Sequence, residues 1–233
     1  MAKKVNKTDE QLANVEGNLS KVGLYVVKNS EKLIKLVGAI ILGFAIFFGY
    51  NTFFVEANEK NANSEMYIAE FYFQNNNYEK ALIGDGKFSG FLSIADQYSS
   101  TETGNIANYY AAICQMNLGS SLDSVQYFKN ALSSLNNFET DDKIILSLAT
   151  GLKGDANMEL GNTNKAMSFY KSAATDNINS FTTPYFMMKQ AKILESNKDF
   201  SSALEVYNTI KEDYPESKEG INIDKYITSA SNR

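Results

Sequence analysis

Gly154-Asp-Ala-Asn-Met-Glu-Leu160-Gly161-Asn-Thr-Asn-Lys-Ala166-Met-Ser-Phe-Tyr170-Lys-Ser-Ala173 sets out a spacing that recurs twice more in this chain. With Ala166 as anchor, a small residue stands twelve positions before it, an aromatic four after it and a small residue seven after it. Around Ser124 the same offsets give Ala112, Phe128 and Ala131, and around Ala203 they give Ala191, Tyr207 and Ile210. Leu118-Gly119 and Leu160-Gly161 precede the first two anchors at matching distances; the third has Asn197-Lys198 there, followed by Asp199-Phe200. Steps of four and seven place residues on one helix face. The Gly, or the nearby Asn, predicts the end of one helix, since it takes the left-handed C-terminal position cheaply. A second helix then returns antiparallel. Small residues on both helices let the backbones approach, and the aromatic fills the groove between one pair and the next. Such a hairpin cannot bury its apolar face alone, so copies must stack.

An earlier copy is present but out of phase. Ala69 lies twelve before Ala81, and Tyr78 three before it. Phe91-Leu-Ser-Ile-Ala-Asp-Gln-Tyr98 aligns with Tyr207-Asn-Thr-Ile-Lys-Glu-Asp-Tyr214 only if the anchor moves to Lys87, a slip of six residues that takes in Gly84 and Gly86. Each helical Gly costs about 1 kcal/mol relative to Ala, so a break is expected there. The pattern resembles the tetratricopeptide repeat over about 150 of the 233 residues, Ala69 to Tyr98 and Ala112 to Pro215, with Tyr214-Pro215 closing the last copy as the family's Pro does. It departs from the family in lacking the early Trp and in anchors 37 and 42 residues apart, against a usual repeat of about 34. The resemblance implies an all-α fold: a tetratricopeptide-repeat-like solenoid of about four helical hairpins plus a C-terminal capping helix.

Helices are expected at 8–20, from Ser30 to Gln74, over 78–98 with a break, and at 105–118, 122–136, 141–160, 163–176, 184–197 and 200–213. Asn75-Asn76-Asn77 stops the long one. Thr140 with Asp141 and Asp142, and Thr183-Pro184, are helix starts. A closing helix at 217–230 would cover the exposed end with Ile221, Tyr226 and Ile227.

Leu36 to Val55 is 20 residues without a charge and includes Leu36, Ile40, Ile41, Phe44, Phe47, Phe48 and Phe54. A helix of that length spans about 30 Å, the thickness of a bilayer core. A buried soluble helix rarely lacks a polar stripe over five turns. Val55-Glu56-Ala57 offers the small residues of a signal-peptidase site, but a 35-residue arm and so long an apolar run argue against cleavage. No Cys follows closely enough for a bacterial lipid anchor. Met1 to Lys35 holds seven Lys against four acidic residues, whereas the residues after Val55 carry fifteen basic against twenty-three acidic. The positive-inside rule then places the N-terminus in the cytoplasm. The expected organisation is a cytoplasmic basic arm (1–33), a transmembrane helix (34–55) and a periplasmic repeat domain (56–233), single-pass in a bacterial inner membrane. No Asn-x-Ser/Thr acceptor follows the apolar run, so nothing suggests a glycosylated lumenal protein.

Zero His removes most catalytic triads and every His-ligated metal site, and one Cys, Cys114, excludes an internal disulfide or a Cys-rich metal site. A formal charge of −5 argues against nucleic acid as a partner. Asp9-Glu10 and Asp141-Asp142 fall at expected helix starts, where they would complement the dipole. Gly84-Asp85-Gly86 lacks the remaining ligands of a calcium loop and the signature of a phosphate loop. Catalysis, a cofactor, a metal and a small-molecule substrate are therefore not expected.

Binding of protein partners is. Tetratricopeptide solenoids present the first helix of each hairpin to a concave groove. Carried over by offset, the groove positions are Ile106, Tyr109 and Met116; Leu148, Gly151 and Met158; Tyr185, Met188 and Glu195. Met and Tyr suit a surface that adapts to varied apolar segments. The alternative is that the long inter-repeat spacing shifts the phase and makes these residues core. A basic arm, one membrane helix and a repeat domain resemble the YfgM-type ancillary subunits of the Sec translocon. Tyr78-Glu-Lys-Ala-Leu-Ile-Gly-Asp-Gly86, followed by Gly90-Phe-Leu, is similar to their Bacteroidota form. That resemblance implies a non-enzymatic role beside the SecYEG channel, engaging the membrane-anchored prolyl isomerase PpiD or translocating polypeptides. A scaffold in another envelope assembly, and a regulator acting through the cytoplasmic arm, are the alternatives.

Overall fold

The computed structural model describes residues 23–233; the expected helix at 8–20 lies outside them. The chain divides into two compact units at Glu56/Ala57. The first contains α1 (Ser30–Tyr50) and a π-helical segment, Asn51–Val55. Helix α1 is long and apolar enough to cross a membrane, and its most apolar window has no buried residue. Leu36, Ile40, Ile41, Phe44, Phe47, Phe48 and, in the π-helical segment, Phe54 are all between 50% and 64% exposed.

The second unit is an all-helical solenoid. Its helices are α2 (Glu56–Gln74), α3 (Tyr78–Ile83), α4 (Phe91–Gln97), α5 (Glu102–Leu122), α6 (Val125–Asn136), α7 (Lys143–Glu159), α8 (Thr163–Thr175), α9 (Thr182–Ser196), α10 (Phe200–Asp213) and α11 (Ile223–Ser231). No strand occurs among the described residues beyond an isolated bridge between Gly84 and Ser89. Each helix from α5 onward packs on the next. The hairpins are α2 with the broken pair α3–α4, then α5–α6, α7–α8 and α9–α10, with α11 closing the end.

The small-and-aromatic code works as a packing code. Ala112, Ala191, Ala131 and Ala173 are buried, Gly154 is buried, and Phe128, Tyr170 and Tyr207 are at most 4% exposed. Phe128 lies on Gly119 and Tyr170 on Gly154, each ring occupying the space where a Cβ would stand. Burying an aromatic of this size contributes about 1.5–3 kcal/mol. The two tyrosines also find a carboxylate on the partner helix: Tyr170 donates to Asp155, which Lys189 also pairs with, and Tyr207 donates to Glu195 at 2.9 Å.

The turns obey a rule the repeat only partly reveals. A left-handed residue five before the anchor ends the first helix at Asn76 (φ 56), Gly161 (φ 74) and Lys198 (φ 63). In the last hairpin it is therefore Lys198, not Asn197, that turns the chain. In the second hairpin Gly119 stays helical because Phe128 needs its bare surface, and α5 continues until Asp123 (φ 50) takes the left-handed role. Ser124 is consequently the N-cap of α6, not an interior helical residue.

Other starts are fixed by side chains. Asp142 accepts from Ile144 and Ile145 N–H at 2.8 and 2.9 Å. Asn179 accepts from Phe181 and Thr182 N–H at 2.9 and 2.7 Å, so α9 begins two residues before Pro184. Pro184 thus stays in the first turn, where an N–H has no helical partner to lose. At the far end Gly220–Asn222 winds as a 3₁₀ turn, which changes the register of the closing helix. Ile221 is 71% exposed; Ile223, with Tyr226, Ile227 and Ala230, covers the last hairpin instead.

The expected break falls between α3 and α4. Gly84 has φ 88, and a Cβ there would meet the Phe88 carbonyl oxygen at 2.2 Å. Asp85 organises the loop, accepting from the Tyr72 hydroxyl at 2.7 Å and from Lys87 and Phe88 N–H at 2.9 and 2.8 Å. The Tyr72 hydroxyl first, then the Phe88 and Lys87 N–H groups, hold its carboxyl down at about 2. A depressed carboxyl stabilises the fold above its unfolded value near 4 and loses that contribution as pH falls through about 2. Amide hydrogen exchange at Lys87 and Phe88 should accordingly rise as pH falls across that window, beyond the intrinsic trend of a reference peptide. In Asp85→Ala it should be fast at every pH, with the helices still protected; unchanged protection in the variant would show that Asp85 does not hold the loop.

Candidate protein-binding surface

The nine groove positions fall into distinct settings. In α5, Ile106, Tyr109 and Met116 are half-buried and pack against Ala112, Ala131, Leu135 and Phe138; the Tyr109 and Phe138 rings lie 5.2 Å apart. Gly151 is buried under the Phe186 ring. Met188 is 7% exposed and belongs to the core of the last hairpin. Glu195 is half-buried and accepts the Tyr207 hydroxyl. Leu148 is half-buried, while Tyr185 and Met158 are exposed at 41% and 39%.

Three of these residues are brought together at the C-terminal end. A cleft of about 560 Å³ is lined by Leu148 from α7, Phe181 and Tyr185 at the start of α9, and Ser217, Lys218 and Glu219 from the segment after α10. A second, of about 450 Å³, continues from it past Tyr185, Met188 and Lys192 to Lys225 and Tyr226 of α11. Tyr185, Lys218 and Glu219 belong to both. The floor is therefore aromatic and aliphatic. The rim is mostly basic, with Glu219 its one carboxylate: Lys192 and Lys225 stand over the Tyr226 ring at 5.9 and 4.7 Å, and Lys189 over Tyr185 at 5.1 Å. Lys189 is paired with Asp155; Lys192, Lys218 and Lys225 have no ion pair among the described residues. Phe181, 66% exposed, gives the floor an edge open to solvent. Such a trough fits an apolar segment flanked by acidic residues.

Phe181, Lys192, Lys218, Lys225 and Tyr226 escaped the offset argument. Phe181 and Lys218 lie on connections, Lys225 and Tyr226 on the closing helix, all outside the repeat register. Lys192 is the residue after the small Ala191, and nothing in the spacing marks it.

Other titratable groups serve packing. Burial pushes the Cys114 thiol up to about 12 and so keeps it protonated. Among the described residues no cluster of His, Cys, Asp and Glu is arranged to hold a metal ion.

Residues 185–217 match the family model of the tetratricopeptide repeat. The last hairpin carries the repeat. The matched segment contains Tyr185, Met188 and Lys192 of the trough. It supports a tetratricopeptide-repeat solenoid and, with it, a module for protein–protein interaction. No curated protein and no solved structure matches the chain.

Proposed function

We propose that this protein is a non-enzymatic, membrane-anchored interaction module: an accessory subunit of the Sec translocon whose repeat domain binds a membrane-anchored periplasmic prolyl isomerase or emerging secreted chains. The trough of Leu148, Phe181, Tyr185 and Tyr226 under Lys192, Lys218 and Lys225 is the observation that carries the binding reading. The apolar, wholly unburied α1 supports the anchor. The excess of Lys before it and of carboxylates after it supports a cytoplasmic arm (1–33), a span (34–55) and a periplasmic domain (56–233). The translocon itself is inferred from the resemblance to YfgM-type subunits. Anchoring raises the effective concentration of such a partner to the millimolar range, so weak contacts in an open trough suffice.

The test is a pull-down of the full-length protein from its native membrane in mild detergent, read by mass spectrometry. SecY, SecE, SecG and an anchored prolyl isomerase should co-purify in near-stoichiometric amounts; a different envelope complex without Sec subunits would overturn the translocon reading. Tyr185→Ser combined with Lys218→Glu should reduce recovery about tenfold, the loss of one aromatic anchor and a charge reversal. Both side chains are exposed, so the melting temperature should hold. Full recovery with the double variant would move the binding surface elsewhere.

A further inference from the structure

A third cleft, of about 490 Å³, opens between the second helices α4 and α6, with α5 beneath. We propose that it binds a neutral glycan of one or two sugar units. Its wall is made of carboxamides and hydroxyls: Asn108 and Gln115 from α5, Asn130 and Ser133 from α6, and Asn137 just beyond it, with Asp96 from α4 opposite. The volume lies within the about 300–1,000 Å³ of small-molecule sites.

Gln115 points to a ligand. It is 3% exposed, and its Oε1 accepts from the Ser134 hydroxyl at 3.0 Å. Its Nε2 donates to no protein group among the described residues, although it lines the cleft. The next hairpin supplies the comparison. Asn157 stands three after Gly154 as Gln115 stands three after Ala112, and it too is 3% exposed. There both ends are satisfied: Nδ2 donates to the Lys153 carbonyl at 2.8 Å and Oδ1 accepts from Asn162 at 3.3 Å. At the same register Gln115 instead leaves its Nε2 open to the amide-lined cleft, where the acceptor of a ligand can reach it.

The remaining inventory selects the ligand class. Asn130 Nδ2, Asn108 Oδ1, the Asn137 carboxamide, the Ser133 hydroxyl and the Asp96 carboxylate have no protein partner among the described residues. Carboxamides offer donor and acceptor side by side, as each sugar hydroxyl does, and a carboxylate accepts from two neighbouring hydroxyls. No Lys or Arg lines the cleft, so a phosphate or carboxylate finds no counter-charge. Leu92 and Ala95 are the only apolar residues of the lining and no aromatic ring is among them, so an aromatic ligand finds nothing to stack on. The wall is preformed: Asn105 bonds the Glu139 backbone through both ends, at 2.6 and 3.0 Å, and fixes one rim.

The full-length protein in lipid nanodiscs, free of alkyl-glycoside detergent, should be titrated with maltose and with diacetylchitobiose by saturation-transfer NMR, with tetraglycine as the peptide probe. At least one saccharide should receive saturation. Asn137→Ala and Asp96→Ala, both exposed, should weaken it about tenfold each, the worth of one or two hydrogen bonds, without changing the melting temperature. Gln115→Met should do the same, and if it fails to fold, the two surface variants carry the test. Saturation of neither saccharide, saccharide binding indifferent to these variants, or binding of tetraglycine alone would overturn the proposal.

Discussion

Tyr207→Ala is expected to cost about 3–5 kcal/mol, and so to lower the melting temperature by roughly 6–20 °C. Tyr207 is fully buried in the last hairpin, among Met188, Ala203, Ile210 and Ile223, with the Tyr226 ring 5.6 Å away. Truncation leaves a cavity between α9, α10 and the closing helix, and none of these helices can collapse into it without losing the others. Tyr207→Phe keeps the ring and removes only the bond to Glu195, so about 1 kcal/mol is expected. Its signature lies in alkali. Burial first, then the Glu195 bond, raises the Tyr207 hydroxyl above its ordinary value of 10.0. A group raised on folding stabilises fully below its unfolded value and loses that contribution as pH rises toward its folded one. Stability of the wild type should therefore fall above about pH 10. The Phe variant should fall less steeply but not be flat, because Tyr170 and Cys114 are raised in the same sense. Urea denaturation from pH 7 to 11 reads this directly; equal slopes in both proteins would show that the hydroxyl is not buried in the folded state.

Tyr207 was legible in the sequence because its role is local. Offsets of four, seven and twelve describe one helix face and one antiparallel neighbour, and a chain that keeps them keeps the hairpin. The turns were less legible. Gly161 announced itself, but Asp123 takes the left-handed role because Phe128 needs Gly119 as a flat surface, and Lys198 takes it at the regular position five before its anchor with no glycine to mark it. Gly119 shows the conflict resolved in favour of packing over capping. The candidate surface was half legible. Leu148 and Tyr185 follow from register, whereas Phe181, Lys218 and Lys225 come from connections and the closing helix, where no period operates. The amide-lined cleft was not legible, since Asp96, Gln115 and Asn137 come together from two helices and the end of a third with no shared spacing.

Gly151→Val brings these threads to one residue. By register Gly151 is a groove position beside Leu148, where a small residue would simply widen the trough. In the fold its missing side chain is the seat of Phe186: a Cβ would stand 1.9 and 2.0 Å from two ring carbons. Phe186 is 2% exposed and stacks on Tyr170 at a centroid distance of 6.3 Å, so the ring has nowhere to retreat. In an open helix, replacing Gly with a residue of better helix propensity would gain up to about 1 kcal/mol. Here overpacking opposes it, and Val is expected to destabilise by about 3 kcal/mol, with Ala intermediate. The cost should fall by at least about 1 kcal/mol in a Phe186→Leu background, where the two sites share one space and their effects cannot add. The two roles of Gly151 predict opposite orders of failure. A groove residue would tolerate Val thermally and lose partner binding at once. A seat for Phe186 loses stability first, and binding only as the α7–α9 contact that supports Leu148 and Tyr185 gives way. Native-like melting of Gly151→Val with abolished binding would therefore return Gly151 to the groove and take Phe186 out of the core.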